Sequence, residues 1–403
     1  MRKRLSVAMA VMVCAGTLAV VGPAATAGAS SGFPPIPKGP ITLGVSAPLS
    51  GAEASYGAFT KLGIAEALKA FDAAHPNGID GHQVKIQTLN DGSDVTQAVQ
   101  VANQFVANKD AAVITVSYNP SAVAQQLAVY TKNKMPVVGV VSGFQYANTK
   151  TYPYLFSPLA SEQQSTKASA QWIGKKGFTR VAMLNDGVPI DQDVQNAIIT
   201  NMKKSAPKAK VVASASITPG SVDDAAAITK LKAAKPDLLV ANVGSSYGPV
   251  WSAIQSANWT PTILTSAGAW YDGFSSMGNL EPKANAYYWT CANSPTQAFT
   301  AQQTTLMAAY AAATSNLVVN YLTFIATDSV PLEMLNYAIT KYHSTAPAAI
   351  KKAIEGIHNQ SYLGFKYNFS PTNHYGLTGQ YGAATCQMGP PYAGGVGKVP
   401  VKS

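Results

Sequence analysis

Short, nearly continuous apolar runs separated by longer stretches of helical period constrain this chain more than any other feature. The runs at 41–47, 111–117, 136–141, 180–184 and 237–243 are almost wholly apolar. A strand with one wet face alternates polar and apolar residues, so runs of this kind imply sheets covered on both faces. Between them lie helical segments. One covers 56–74 and stops near Pro76 and Gly78; another covers 94–108, with Asp94 placed as its N-cap; a third covers 121–133. The segment 82–89 alternates as a strand does. The rhythm then repeats, with helices expected at 163–176, 191–204, 222–234 and 247–257 and strands at 210–217 and 262–266. Strand and helix in alternation describe an α/β chain with parallel sheets flanked by helices.

The last third breaks the rhythm. A strand-like run at 284–290 carries Tyr287, Tyr288 and Trp289, and helices are expected at 296–312, 317–327, 331–342 and 347–357. Pro331 and Pro347 suit first turns, where a missing N–H costs nothing. Strand-like pieces at 365–369 and 381–385 finish the chain. At 403 residues the chain exceeds what one core usually supports. Two lobes are therefore expected, one from 40–157 plus 290–362 and one from 158–289 plus 363–403. A chain that passes between lobes more than once makes a hinge.

The first 29 residues read as a secretory signal peptide: Arg2, Lys3 and Arg4, then an apolar run from 5 to 21, then Ala25-Thr26-Ala27 and Ala27-Gly28-Ala29. A retained membrane anchor is the alternative, and the run is short for one. Cys14 follows Val13 rather than a small residue, which argues against lipidation. An exported chain leaves Cys291 and Cys386, and a disulfide between them is expected, with two buried thiols as the alternative. The five histidines show no metal-ligand spacing with these cysteines. The formal charge is +10, of which Arg2, Lys3 and Arg4 supply three, and the remaining lysines are scattered. No basic stripe for nucleic acid results.

In open α/β sheets ligands sit beyond the carboxyl ends of the strands. Here those ends carry small residues and hydroxyls: Ser46-Ala47-Pro48-Leu49-Ser50-Gly51, Ser117-Tyr118-Asn119-Pro120-Ser121, Val141-Ser142-Gly143, Asn185-Asp186-Gly187, Gly244-Ser245-Ser246 and Ser266-Ala267-Gly268. Most run into a helix, whose first N–H groups are unpaired and partly positive. Ser and Gly are also ordinary turn residues, so the recurrence at many ends carries the argument, not any one loop. The patterns GxGxxG, GxxxxGK[ST] and HExxH are absent. All five histidines read as surface residues, His374 among them in a polar turn, and Asp191 and Asp193 read as helix-start carboxylates rather than an acid/base pair.

The opening Ile41-Thr42-Leu43-Gly44-Val45-Ser46-Ala47-Pro48-Leu49-Ser50-Gly51 with Tyr56-Gly57 resembles the start of the branched-chain amino-acid-binding, leucine-binding-like family of type I periplasmic substrate-binding proteins of ABC importers. Gly81 to Ile86, Asn90-Asp91-Gly92, Met135-Pro136-Val137-Val138, Tyr154-Leu155-Phe156 with Ser161-Glu162-Gln163, and Lys235 to Val240 are similar to later family segments in the same order. The resemblance implies two Rossmann-like lobes joined by three crossings and closing over a small-molecule ligand. It also implies an extracytoplasmic location, membrane permease subunits as partners, a monomer, no cofactor and no catalysis. An extracytoplasmic sensor module is the alternative. Carried over by position, the ligand residues are Tyr56, Ser117, Tyr118, Asn119, Ser121, Val141, Ser142 and Gly143 from the first lobe, and Ile190, Gly244, Ser245, Ala267 and Gly268 from the second. Amino-acid binders of the family place an aromatic where Ile190 aligns and an acid near Ala267. Neither is present, which points to a carboxylate-bearing or largely apolar ligand over a zwitterion.

Overall fold

The structure, a computed structural model, describes residues 32–51, 54–117, 119–218, 224–243, 246–265, 285–288, 301–313, 325–378 and 386–387. Strand β1 (Ile41–Ala47) is the hub of a first sheet. It runs parallel to β2 (Val84–Asn90), in register from Ile41↔Val84 to Ala47↔Asn90, and on its other edge to β3 (Ala112–Thr115). Strands β4 (Val137–Val138) and β5 (Leu155–Phe156) complete the order β2-β1-β3-β4-β5. Helices α1 (Ala54–Ala74), α2 (Val95–Asn108) and α3 (Pro120–Lys132) connect them. Asp94 caps α2 as expected, its side chain accepting from the Gln97 N–H.

On one face of this sheet Val101, Phe105, Leu127 and Tyr130 of α2 and α3 are buried. The other face holds Ile64 and Phe71 of α1 together with Leu335 and Ile339 of a late helix (Val330–Tyr342) and Ile350 and Ile354 of another (Pro347–Glu355). The chain therefore returns to its first sheet after building a second one.

The second sheet centres on β6 (Arg180–Asn185), flanked by β7 (Lys210–Ser216) and β8 (Leu238–Asn242). Beyond β8 come β9 (Thr262–Thr265), β10 (Asn285–Tyr288) and the antiparallel β14 (Cys386–Gln387). Along β6, Val181 and Met183 pack with Ile198 and Met202 of α5 (Pro189–Ser205) and with Ile173 of α4 (Glu162–Lys176). Ala182 and Leu184 point the other way, toward Leu231 of α6 (Ala225–Ala233) and Trp251 of α7 (Tyr247–Ser256). Side chains alternate with period two, and both faces are apolar, which is why these strands read as unbroken hydrophobic runs.

A small antiparallel sheet, β11 (Gln360–Tyr362), β12 (Phe365–Tyr367) and β13 (Leu377–Thr378), was not expected in full. Its first hairpin turns on Leu363 and Gly364, both with positive φ (49° and 87°). Phe365, Tyr367, Phe369 and Leu377 are buried in the core of the first sheet. Residues 363–378 thus pack away from the second lobe to which 363–403 had been given, and among described residues only Cys386–Gln387 of that stretch joins the second sheet.

His374 needs the clearest correction. It is 2 % exposed, not in a surface turn. Its ring lies 4.1 Å from that of Phe156, its Nδ1 faces the Leu155 carbonyl at 2.9 Å, and its Nε2 faces Glu355 at 3.1 Å. The polar neighbours Asn373 and Thr372 hid an inward-facing ring. The signal peptide at 1–29, the strand at 381–385, the first part of the helix at 317–327 and Cys291 lie outside the described residues. Residues Ile325–Ser329 form a π turn leading into the late helix. Among described residues no helix is long and apolar enough to cross a membrane.

Candidate functional site

Parallel strands bring their carboxyl ends to one edge, so the loops after β1, β3 and β4 of the first sheet share an edge. After β4 the chain turns through Val141-Ser142-Gly143 into a short 3₁₀ turn (Phe144–Ala147). Gly143 has φ 140°, and a Cβ there would meet the Tyr146 ring at 2.8 Å, so only glycine makes this bend without strain. Two bonds fix the loop: the Tyr375 hydroxyl donates to the Val141 carbonyl at 2.8 Å, and Gln163 Nε2 donates to the Phe144 carbonyl at 2.8 Å. Val141 is buried and Ser142 exposed.

The Ser142 hydroxyl bonds to the carboxyl of Glu162. Glu162 opens α4, directly after Ser161, whose side chain forms a capping box with Gln164. Burial pushes Glu162 up to about 7, and the Ser142 bond pulls it back. Asp191 of α5 feels the Glu162 charge. Burial raises the Asp191 carboxyl first, and the neighbouring charge and hydrogen bond of Asp186 raise it further. Asn242 at the end of β8 opposes this, its Nδ2 donating to Asp191 Oδ1 at 2.6 Å. Asp186, at the end of β6, is itself buried and accepts from the Val188 N–H at 3.1 Å. Burial and the neighbouring Asp186 thus make the Asp191 carboxyl hold its proton more tightly than an exposed carboxyl does. Ser142, in the loop after β4, thus stands beside Glu162 at the start of α4, and Asp191, bonded to Asn242 at the end of β8, lies within range of the Glu162 charge.

The first-sheet loops are differently built. Ser117 is buried after β3. Its N–H donates to Gln126 Oε1 at 2.8 Å and its side chain stands beside Asp91. Asn119 caps α3, its Oδ1 accepting from the N–H groups of Ser121 (2.9 Å) and Ala122 (3.3 Å), and its Nδ2 donates to the Ser93 carbonyl at 2.9 Å. Ser121 is exposed in the first turn of α3. Tyr56 lies in α1, its side chain outside what is described, as are Tyr118, Gly244, Ser245, Ala267 and Gly268; Ile190 is half-buried in the first turn of α5. The structure sets Ser142 beside Glu162 at the start of α4, and it sets the polar atoms of Ser117 and Asn119 against the protein's own backbone and side chains.

Glu162, Asp186, Asp191 and Asn242 were missed as a group. The available signal was three acidic residues just after strand ends, in a chain with only 19 Asp and Glu. The spacing Gly244-x-Ser246-x-Gly248 is a GxSxG that follows a strand and opens a helix. Ser246 does not suit a nucleophile. It is 1 % exposed, and among the described residues its hydroxyl has no hydrogen-bond partner. His75, His82, His343, His358 and His374 are each bonded elsewhere.

A family model described as periplasmic binding protein matches residues 40–387. Among curated relatives, "Leu/Ile/Val-binding protein homolog 3" of Brucella melitensis is 26 % identical over 52 % of this chain and 56 % of its own length. "Leu/Ile/Val-binding protein BraC3" of Rhizobium johnstonii is 27 % identical over 53 % of this chain and 58 % of its own. The chain thus spans about half the length of the curated relatives it matches. Of solved structures, the branched-chain amino acid transporter substrate binding protein LivJ of Streptococcus pneumoniae, in complex with isoleucine, aligns with TM-score 0.69 at 20 % identity, covering 86 % of this chain and 98 % of that one. A solute binding protein of an ABC transporter from R. palustris, in complex with 4-hydroxybenzoate, aligns with TM-score 0.65 at 16 % identity over 83 % and 89 %. A type 1 periplasmic binding protein of Bordetella pertussis reaches 0.70 at 19 % over 84 % and 94 %.

Proposed function

Because this chain belongs to the periplasmic binding protein family, we propose that it captures a small organic solute outside the cytoplasm and presents it to the membrane permease of an ABC importer. The first sheet with its late helices forms one lobe and the second sheet the other. Ligand contacts from both favour the closed arrangement, and the permease recognises that state.

What supports this reading most is Ser142, from the loop after β4, standing beside Glu162 at the start of α4, whose charge reaches Asp191 beside the second sheet. Such a place is where a ligand gains by touching both sides. Its chemistry also bears on the ligand. Acidic groups crowd this end, and a carboxylate brought among them would meet like charge. A protonated amine would instead find acidic groups to pair with and would favour loss of the proton that burial holds on Asp191. The missing acid near Ala267 argues against a zwitterion, but Asp186 after β6 and Asp191 in α5 offer acidic groups elsewhere at the strand ends of the second sheet. An amino-acid-like solute, in keeping with the printed names of the two curated relatives, fits best.

A thermal-shift screen tests this. A ligand that binds only the folded state raises the melting temperature, by an amount that grows with concentration. L-leucine, L-isoleucine and other neutral amino acids are expected to raise it; 4-hydroxybenzoate and short-chain fatty acids are not. A shift with the acids alone would reverse the ligand assignment, and no shift with any small solute would remove the binding function.

A further inference from the structure

Beneath the loops of the first sheet, residues from four segments gather in a ring held by a chain of hydrogen bonds. The Ser46 hydroxyl, at the end of β1, donates to Asp91 Oδ2 at 2.7 Å. Gln126 Nε2, in α3, donates to Ser46 Oγ at 2.8 Å and also to the Ala98 carbonyl of α2 at 3.1 Å. Gln126 Oε1 accepts from the Ser117 N–H at 2.8 Å, and the Ser117 side chain, which accepts from the Asn119 N–H at 3.3 Å, stands beside Asp91 and eases its burial. Asp91 Oδ1 takes one more bond, from the Ser93 N–H at 3.1 Å. All four residues are buried: Ser46, Asp91 and Gln126 are 0 % exposed and Ser117 is 3 % exposed.

The donor and acceptor count explains why such a ring persists. Both N–H bonds of Gln126 are used and its oxygen is used, so the amide has one orientation. Burial raises the Asp91 carboxyl, and its donors pull it back toward the charged form that accepts from them. A buried carboxylate with its donors in place is tolerated; one partner removed leaves the rest unpaired in a dry site.

The ring does not reach a ligand itself. It ties together the three loops that would. Asp91 sits in the turn after β2, whose neighbour Asn90 holds the 48–50 loop, accepting from the Leu49 N–H at 2.8 Å and donating to Ser50 Oγ at 2.9 Å. Ser117 opens the loop at 117–121, and Asn119 links that loop back to Ser93. Ser117 was expected as a ligand contact, yet its N–H and hydroxyl both serve the ring.

We propose that Ser46, Asp91, Gln126 and Ser117 are positioning residues that hold the first-lobe loops in ligand-receiving geometry before the ligand arrives. The inference rests on the solute-binding reading. Preformed loops spare the ordering cost that binding would otherwise meet, so the ring acts on affinity as well as on stability.

The test compares Gln126→Leu, Gln126→Glu and the milder Ser46→Ala with Ile198→Val, a core change beneath the second sheet. Two quantities are measured on each full chain: the Kd for L-leucine and L-isoleucine by calorimetry, and amide hydrogen exchange segment by segment. Gln126→Leu and Ser46→Ala are expected to weaken binding about ten-fold or more, while Ile198→Val, even at equal loss of melting temperature, keeps its Kd. Exchange should accelerate over 117–122 and leave the second sheet unchanged. Gln126→Glu retains the acceptor for the Ser117 N–H but loses the donor to Ser46, and should fall between. Equal Kd in ring variants and control, or exchange that accelerates uniformly, overturns the proposal. If the wild type binds neither probe, the solute reading suffers and exchange alone decides the ring: acceleration confined to 117–122 upholds it, and uniform acceleration sinks it.

Discussion

The strand ends of the two sheets handle polar groups in opposite ways. At the first sheet, Ser46, Asp91, Ser117 and Gln126 match donors to acceptors one by one around a single buried carboxylate. At the second, Asp186, Asp191 and Glu162 place carboxyl against carboxyl, with Asn242 and Ser142 as the donors that ease them. A satisfied network is rigid and has nothing left to offer a visitor. A crowded one is under electrostatic strain that a ligand of the right charge can relieve. On the proposed binding reading, the first side would set shape and the second would select charge.

The largest expected effect comes from breaking the satisfied side. Asp91→Leu leaves the Ser46 hydroxyl and the Ser93 N–H without their acceptor, and should cost about 3 kcal/mol or more in urea unfolding. Next comes Gly143→Ala. Its positive φ and the Tyr146 ring at 2.8 Å from a Cβ predict a loss of about 2 kcal/mol in the same assay, together with weaker ligand binding.

The crowded side should respond with the reverse sign. The Asp191 carboxyl is raised in the fold, so the folded state holds its proton more tightly than the unfolded chain does. The stability this brings is complete below the unfolded value and is lost as pH rises through the folded one. Asp191→Asn removes the charge but keeps the shape. It should therefore raise stability by about 1 kcal/mol at pH 8 and change little at pH 4. The smallest effect sharpens the same point. Glu162 is raised from 4.5 to about 7, so wild-type stability should slope downward across that interval and Glu162→Gln should flatten the slope. A flat wild-type profile, or an Asp191→Asn variant weaker at pH 8 than wild type, would erase the contrast between the two sides.

Much of this fold was legible because its strands are covered on both faces. β6 and β8 read as apolar runs since Val181 and Ala182, or Leu238 and Leu239, each find a core on their own side. Asp94 marked a helix start through its local bond to a residue three positions on. What stayed hidden depends on partners far away in sequence. β5 is two residues long, and nothing local tells Leu155 that it will pair beside Val137. His374 is buried by Phe156 and Glu355, and residues 363–378 join the first core through contacts with segments hundreds of positions earlier. For the site, the Ser- and Gly-rich strand ends at 117–121 and 141–143 were legible as loops. The inward bonding of Ser117 was not, since it depends on Asp91 and Gln126, and neither was the clustering of Asp186, Asp191 and Glu162 from separate helix starts.

On the proposed reading, an amine-bearing solute pairs with the acidic groups at Asp186 and Asp191 and opposes the proton that burial holds on Asp191. Calorimetric titration with L-isoleucine at pH 6, 7 and 8, in buffers of different ionisation enthalpy, measures both affinity and protons exchanged. Net proton release on binding, with Kd falling as pH rises, is the expected result. Proton uptake, or a Kd that falls as pH drops, would mean that the carboxyls oppose the ligand, and the assignment of charge selection to the second side would fail.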